Sequence, residues 1–134
     1  MPATASAAPP SKAMLWTGYV LSALPAIALV LSGIFKFMPS SPDLEKNLEH
    51  IGWPLVAVVP LGITELIAAI LYIIPRTSVL GAILVTGYMG GAIATHARIG
   101  EMFVIQALIA VLAWLGLYFR DARLRALLPL RSAN

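Results

Sequence analysis

One acidic residue, Glu65, stands alone within an apolar stretch that covers residues 51–75. Placing an ionised carboxylate at the centre of a bilayer costs about 2.5 to 3.5 kcal/mol on insertion scales. We therefore expect Glu65 to point into the interior of a helix bundle, where it either pairs or stays protonated. It is a site that carries a proton, binds a cation or binds a ligand, or it makes a structural hydrogen bond to Tyr88, His96 or a neighbouring helix.

Further polar side chains fall near the ends of the apolar stretches, on one predicted side of the membrane. Taken singly they have ordinary explanations. Lys36 extends its ammonium towards water, and Gln106 bonds across helices. Taken together they predict a polar funnel that narrows towards the buried carboxylate. The candidate residues for binding a ligand or a proton are Glu65, Tyr88, His96, Arg98, Glu101, Gln106 and Lys36.

Several kinds of chemistry are excluded or disfavoured by the residue types. The chain contains no cysteine, so it offers no disulfide, no thiolate metal site and no thiol relay. The two histidines lack the spacing of a metal or haem pair, which disfavours a metal held by His50, His96 and Glu101. Motifs for phosphate loops, dinucleotides or serine nucleophiles do not occur. We predict neither a metal site nor catalytic residues.

The elements that must position these residues are membrane-spanning helices. Of the 134 residues, 60% are hydrophobic and 11% are charged, and the mean hydropathy is +0.89. Ordinary globular domains carry about a quarter charged residues. Four apolar stretches are each close to the roughly 20 residues that a spanning helix needs. We predict an all-α, integral membrane four-helix bundle over residues 14–120, with spans at about 15–36, 54–74, 78–96 and 102–119.

The distribution of positive charge predicts the orientation of this bundle. Six of the 9 Lys and Arg residues fall on the side that holds both termini, which the positive-inside rule places in the cytoplasm beneath a cell inner membrane. This topology explains the net charge of +3 without a nucleic-acid partner. We expect residues 1–13 to be a disordered tail and residues 121–134 a basic tail. The six basic residues on the side of the termini are Lys12, Arg76, Arg120, Arg123, Arg125 and Arg131, and the three on the opposite side are Lys36, Lys46 and Arg98.

The first outer loop is predicted to contain a short amphipathic helix. Ser41 followed by Pro42 is a typical helix start. Leu44, Leu48 and Ile51 recur at helical spacing. We expect this helix to lie along the outer surface of the membrane before the chain re-enters the bilayer.

The third span carries a stripe of small residues. Gly87, Gly91 and Thr95 follow each other at intervals of four, a pattern typical of close helix packing in membranes. The pattern does not say whether the neighbouring helix belongs to the same chain. Tyr88 and His96 lie on the adjacent stripe, so we expect them to face one interior space.

The sequence ITELIAAILYIIPRTSVLGAILVTGYMGGAIATHARIGE, residues 63–101, closely resembles the DoxX-like family of small four-helix membrane proteins. The shared features are the glutamate in the second span, the PRT turn, the motif GYxGGAxATHxR and the outer loop after FKF. The resemblance implies that Glu65, Tyr88, His96 and Arg98 are marked positions, without defining their roles. The wider superfamily includes a subunit of a thiosulfate:quinone oxidoreductase, proteins of oxidative-stress complexes and receptor-assembly chaperones. Because this chain lacks cysteine, the resemblance favours quinone binding over thiol or persulfide transfer.

Three functional hypotheses follow. In the first, the chain is an accessory or quinone-associated subunit of an inner-membrane redox complex rather than a stand-alone enzyme. Its partners are then the bilayer and either the subunits of that complex or a second copy. In the second, it is a non-enzymatic assembly protein that packs through its glycine-rich third span. In the third, it is a proton-coupled transporter of a small solute.

Overall fold

The computed structural model describes residues 8–127, and within that range the chain is helical and contains no strand. Each long helix coincides with an apolar stretch of the sequence. The helices are α1 (Lys12–Phe35), α2 (Pro42–Ile51), a single 3-10 turn (Leu55–Ala57), α3 (Val58–Ile73), α4 (Ser78–Arg98), α5 (Val104–Arg120) and α6 (Ala122–Leu127).

Four apolar helices form the body of the protein. Both α1 and α4 pack against α3 and against α5, so the four helices close a ring in the order α1, α3, α4, α5. Helices α1 and α4 and the segment Leu55–Ile73 are long and apolar enough to cross a membrane, whereas α5 has 17 residues. At 1.5 Å per residue α5 is about 25 Å long, a little less than a hydrocarbon core of about 30 Å.

The outward faces of these helices need an apolar environment. In each of the three longer spanning segments, at most 33% of the residues in the most apolar stretch are buried inside the protein. Backbone polar groups are satisfied within the helices, as a bilayer requires. The protein is therefore a helical membrane protein. Large apolar side chains on its surface include Trp16, Val20, Leu24, Ile27, Ile67, Ile83 and Leu108.

Close helix contacts mark the end of the bundle that holds α6. A Cβ placed on Gly81 would overlap the backbone of Tyr72, so α4 approaches α3 closely here. A Cβ placed on Gly116 would overlap the Ser22 hydroxyl, so α5 approaches α1 in the same way. The buried Tyr72 hydroxyl donates a hydrogen bond of 2.8 Å to the carbonyl oxygen of Ala113, which ties α3 to α5. Only glycine permits both approaches.

The glycine stripe of the third span does not pack against another helix of this chain. No described atom lies within 4 Å of a Cβ placed on Gly87 or Gly91. The Thr95 hydroxyl accepts a hydrogen bond from Trp53, which lies just before the second span. Packing against a helix of residues 8–127 is therefore excluded for the two glycines, while packing against another chain stays a prediction.

The outer helix boundaries differ from the spans expected from the sequence. Helix α1 begins at Lys12, because the Ser11 hydroxyl accepts a hydrogen bond of 3.2 Å from the Met14 amide and caps the helix. Residues 12–13 thus belong to α1, and residues 1–7 of the predicted tail lie outside the described range. At the other end Asp121 caps α6. Residues 128–134 of the predicted basic tail, including Arg131, also lie outside that range.

Helix α2 has local caps at both ends. The Ser41 hydroxyl accepts a hydrogen bond of 3.2 Å from the Leu44 amide. Gly52 ends the helix with a φ of 78°, a conformation that favours glycine. The position of α2 on the outer side of the membrane, like the cytoplasmic position of the termini, stays a prediction.

Candidate functional site

A cavity of about 550 Å³, hereafter the α2 cavity, lies at the end of the bundle that holds α2. Side chains of α1, α3, α4 and α5 form its walls, and α2 covers it. Apolar residues such as Leu29, Leu48 and Ile109 make up most of the lining. A mostly apolar wall with few polar groups is typical of a small-molecule site. The residues from the sequence-predicted set that line it are Lys36, Glu65, Tyr88, His96 and Gln106.

Glu65 forms an ion pair with Lys36 in the wall of this cavity. The Lys36 Nζ lies 2.6 Å from Glu65 Oε2 and 2.8 Å from the hydroxyl of Ser32. Glu65 is only 2% exposed, so the nearby ammonium is what compensates its carboxylate in a poorly solvated setting. The Tyr88 hydroxyl donates a further hydrogen bond of 3.2 Å to the same Oε2. The buried carboxylate is therefore paired and held by three helices.

Two glycine contacts determine that Lys36 meets Glu65. A Cβ on Gly33 would lie 2.7 Å from the Leu66 side chain, and a Cβ on Gly62 would lie 2.9 Å from the Cβ of Lys36. Lys36 follows Gly33 by three positions, and Glu65 follows Gly62 by three. Each charged residue therefore lies about one helical turn from a glycine at which α1 and α3 approach each other. The glycine spacing is visible in the sequence, but it predicts the pairing of Lys36 with Glu65 only once it is known that α1 contacts α3.

The polar pair on α4 and α5 leaves one acceptor without a partner. His96 Nδ1 lies 2.8 Å from the carbonyl oxygen of Ala92 and donates to it, which in the neutral ring leaves Nε2 as an acceptor. Gln106 Nε2 lies 3.5 Å from His96 Nε2, which fits a weak donated bond. Gln106 Oε1 is buried and makes no hydrogen bond within the described part of the chain. Buried polar atoms in native proteins normally have a partner.

Side chains of α4 and of the loop after it hold α2 over the cavity. The Arg98 Nη2 donates a hydrogen bond of 2.6 Å to the carbonyl oxygen of Ile51, the last residue of α2. The Trp53 Nε1 donates one of 3.2 Å to the hydroxyl of Thr95. Two side-chain hydrogen bonds thus connect α4 to the end of α2 and to the segment that follows it.

The positions of Arg98 and Glu101 differ from the sequence prediction. Both belong to the predicted ligand-binding or proton-binding set, but neither lines the α2 cavity. The Glu101 carboxylate instead makes a hydrogen bond with the ring of His50 on α2. The turn at Gly100, where φ is 75°, brings Glu101 to α2, whereas Arg98 reaches α2 from the last residue of α4. Both side chains consequently serve to hold α2.

Some residues of the cavity wall are absent from the predicted set. Ser32 lies one turn before Lys36 on α1, a spacing that was visible in the sequence. Asn47 lines the cavity from α2, and the covering position of α2 was not deducible from its amphipathic pattern. Within residues 8–127, no three His, Cys, Asp or Glu side chains come together in a way that would hold a metal ion.

The fold and the cavity define a class of protein, the small helical membrane proteins with a polar cluster inside an otherwise apolar pocket. The model of the DoxX-like family matches residues 20–118, a range that includes every polar side chain of the α2 cavity named above. The chain belongs to the DoxX-like family, as its resemblance predicted. Comparison with curated proteins and with solved structures gives no match.

Proposed function

We propose that this DoxX-like membrane protein binds a small, mainly apolar molecule with carbonyl or hydroxyl groups, such as a quinone or its quinol, in the α2 cavity. The observation that carries this proposal is the buried, unpartnered Gln106 Oε1. Leaving such an acceptor unsatisfied costs about 1 to 3 kcal/mol. A ligand hydroxyl would donate the missing hydrogen bond.

The other polar groups of the wall suit the same ligand class. Lys36 supplies a donor, which a carbonyl oxygen accepts, and the Tyr88 oxygen, whose own proton goes to Glu65, accepts from a hydroxyl. Gln106 Oε1 and His96 Nε2 are acceptors, which a hydroxyl satisfies. A quinone presents carbonyls and a quinol presents hydroxyls, so the set accommodates both forms. The volume of about 550 Å³ falls within the range of about 300 to 1,000 Å³ for small-molecule pockets.

The glycines of α4 favour a ligand that is dissolved in the membrane. Gly87 and Gly91 line the α2 cavity and are also exposed at the surface of the bundle. Both lie within a helix that is long and apolar enough to cross a bilayer. An apolar molecule would therefore reach the cavity from the side, through the gap that the missing side chains leave. This feature favours a quinone-like ligand over the water-soluble solute of a transporter.

We assign the protein an accessory role, in which it holds the ligand for the subunits of a membrane redox complex. The absence of cysteine removes thiol and persulfide transfer from the chemistry available to this chain. We place the chain in the inner membrane with both termini in the cytoplasm, because most of its Lys and Arg residues fall on the side of the termini.

Tryptophan fluorescence tests ligand binding directly. The chain has 3 tryptophans, and only Trp53 lines the α2 cavity. In a Trp16→Phe/Trp114→Phe background, decylubiquinone should quench Trp53 emission and reach saturation. Adding Gln106→Leu should raise the apparent Kd by about tenfold, since one buried hydrogen bond is lost. Tyr118→Phe, outside the cavity, is the matched control and should change nothing. Unsaturable quenching that is equal in all variants would refute the proposal.

The absence of cysteine also permits a clean test of topology. Glu49→Cys on α2 and Ala8→Cys before α1 each create the chain's single thiol at an exposed position. In intact cells, a membrane-impermeant maleimide should label the variant on α2 and leave the N-terminal variant unlabelled until the inner membrane is opened. The reverse pattern would invert the proposed orientation.

Assembly with another membrane helix is the second candidate function, and the exposed Gly87 and Gly91 favour it. Such a helix would occupy the same gap as the ligand's entrance. Native mass spectrometry of mild-detergent extracts distinguishes the two functions. A stable protein partner without bound quinone would support assembly, and bound quinone without a partner would support ligand binding.

A further inference from the structure

A second cavity, of about 540 Å³, lies at the opposite end of the bundle beside α6, hereafter the α6 cavity. It shares no lining residue with the α2 cavity, so the two are separate. The proposed function makes no use of it. Its polar lining comprises Tyr19, Tyr72, Ser22, Ser78, Arg120, Arg123 and the acidic Asp121.

The guanidinium of Arg120 is fixed in the wall of this cavity. Its Nε donates a hydrogen bond of 3.0 Å to the hydroxyl of the buried Ser22. Its central carbon lies 5.5 Å from the ring centre of Tyr72 and 5.9 Å from that of Tyr19, both within reach of a cation–π contact. Helix α1 also packs closely against the base of the Arg120 side chain, because a Cβ on Gly18 would lie 2.8 Å from the Cβ of Arg120. The cation is therefore positioned by four contacts.

Arg120 keeps an uncompensated charge within residues 8–127. No carboxylate there lies within 4.0 Å of its guanidinium, and its two terminal nitrogens make no hydrogen bond to the described chain. The adjacent Asp121 is otherwise engaged, since its Oδ1 accepts a hydrogen bond of 2.9 Å from the Arg123 amide. Arg125 contrasts with it, because its guanidinium donates to carbonyl oxygens at the end of α5. Arg120 thus keeps a pair of donors for a group that residues 8–127 do not provide.

We propose that the α6 cavity binds the phosphate group of an acidic phospholipid. A guanidinium presents two parallel N–H groups that match two phosphate oxygens, and Arg123, which is exposed, adds a second cation at the rim. The wall continues into apolar surface at Ala23 and at Ile73, which is 52% exposed. That surface suits an acyl chain, so a lipid fits the cavity better than a free phosphate ion does.

The charge of this end of the bundle favours an acidic lipid over a zwitterionic one. Lys12 and Arg76 belong to the same end of the bundle. Among the described residues at that end, Asp121 is the only acidic one. A surplus of basic residues at the membrane surface attracts anionic headgroups. Because the guanidinium is already held by Tyr19 and Tyr72, little ordering is needed when the phosphate binds.

Native mass spectrometry of the full chain in mild detergent tests this site. Dioleoyl phosphatidylglycerol should remain bound at concentrations where dioleoyl phosphatidylcholine does not. Arg120→Gln should raise the apparent Kd for phosphatidylglycerol by about tenfold, because a bidentate charged contact is lost. Arg76→Gln is the matched control, since it removes an exposed cation at the same end that does not line the cavity, and it should change the Kd by less than about twofold.

Further measurements distinguish a loss of binding from a loss of folding, and a bound lipid from a bound phosphate ion. Should Arg120→Gln fail to fold, the exposed Arg123→Gln still tests the cavity and should weaken phosphatidylglycerol binding by about fivefold. Equal retention of the two lipids, or equal losses in Arg120→Gln and Arg76→Gln, would overturn the proposal. Displacement of the lipid by millimolar inorganic phosphate would overturn the lipid assignment, leaving a site for a free anion.

Discussion

Helix α4 uses glycine in opposite ways in its two halves. At the α6 end, Gly81 and Gly116 lie where any side chain would overlap a neighbouring helix. At the α2 end, Gly87 and Gly91 face open space and border the α2 cavity. Helix α4 contributes to both ends, so one helix has a closed half and an open half. A glycine stripe in a membrane helix thus permits either close packing or an opening, and the neighbouring helix decides which.

The two ends also differ in how they hold positive charge. Lys36 compensates the buried Glu65 at a distance of 2.6 Å. Arg120 has no carboxylate of the described chain within 4.0 Å and is held by a hydroxyl and two aromatic rings. The first arrangement is internally neutral, which suits a pocket for an uncharged ligand such as a quinone. The second keeps a net positive charge, which suits an anion.

Removing the cation at the neutral end should have the largest effect on stability. In Lys36→Met the carboxylate of Glu65 stays buried without its partner, so we expect the free energy of unfolding to fall by about 3 to 5 kcal/mol. Thermal and denaturant unfolding in mild detergent measure this loss. The double variant Lys36→Met/Glu65→Leu should recover most of it, because no unpaired charge remains. A Lys36→Met protein as stable as the unaltered chain would show that the ion pair does not support the fold.

Alanine substitutions along α4 should separate its closed half from its open half. Gly81→Ala places a methyl group against the Tyr72 backbone and should lower the free energy of unfolding by about 1 to 3 kcal/mol. Gly87→Ala meets no neighbour and should raise it by about 0.4 to 1 kcal/mol, since the unfolded chain loses freedom. Equal destabilisation by both changes, measured in the same detergent, would contradict the presence of an open half.

The two interior tyrosines allow a smaller and more selective comparison. Tyr72→Phe removes a buried hydrogen bond and should lower the free energy of unfolding by about 1 kcal/mol without changing the affinity for decylubiquinone. Tyr88→Phe removes the hydroxyl that binds Glu65 and lines the α2 cavity, and it should weaken that affinity by a few-fold, at about the cost of one hydrogen bond. The quenching of Trp53 measures affinity, and thermal unfolding measures stability. Identical effects of the two substitutions on ligand affinity would contradict the separation of the two ends.

Much of the fold was predictable because the bilayer restricts the choice of structure. Long uncharged stretches can only be helices there, and a lone Glu65 within one of them must point inwards. The helix caps at Ser41 and Gly52 also follow from local rules. These inferences need no knowledge of which helices touch.

The parts that could not be predicted depend on contacts between helices. The pairing of Lys36 with Glu65 follows from the approach of α1 to α3 at Gly33 and Gly62, which no single-span pattern reveals. The same limit explains Arg98 and the glycine stripe. Arg98 bonds to the last residue of α2, and Gly87 and Gly91 face open space. Both observations depend on how the helices are arranged in space, which the pattern of one span does not show.

The most direct test of the ligand cavity compares two adjacent glycines on α4. Gly90 and Gly91 are both exposed, and no described atom lies within 4 Å of a Cβ placed on either, but only Gly91 lines the α2 cavity. In the protein whose only tryptophan is Trp53, Gly91→Leu should abolish saturable quenching by decylubiquinone, whereas Gly90→Leu should leave it unchanged. Equal quenching in both variants would contradict a ligand cavity that opens beside Gly91.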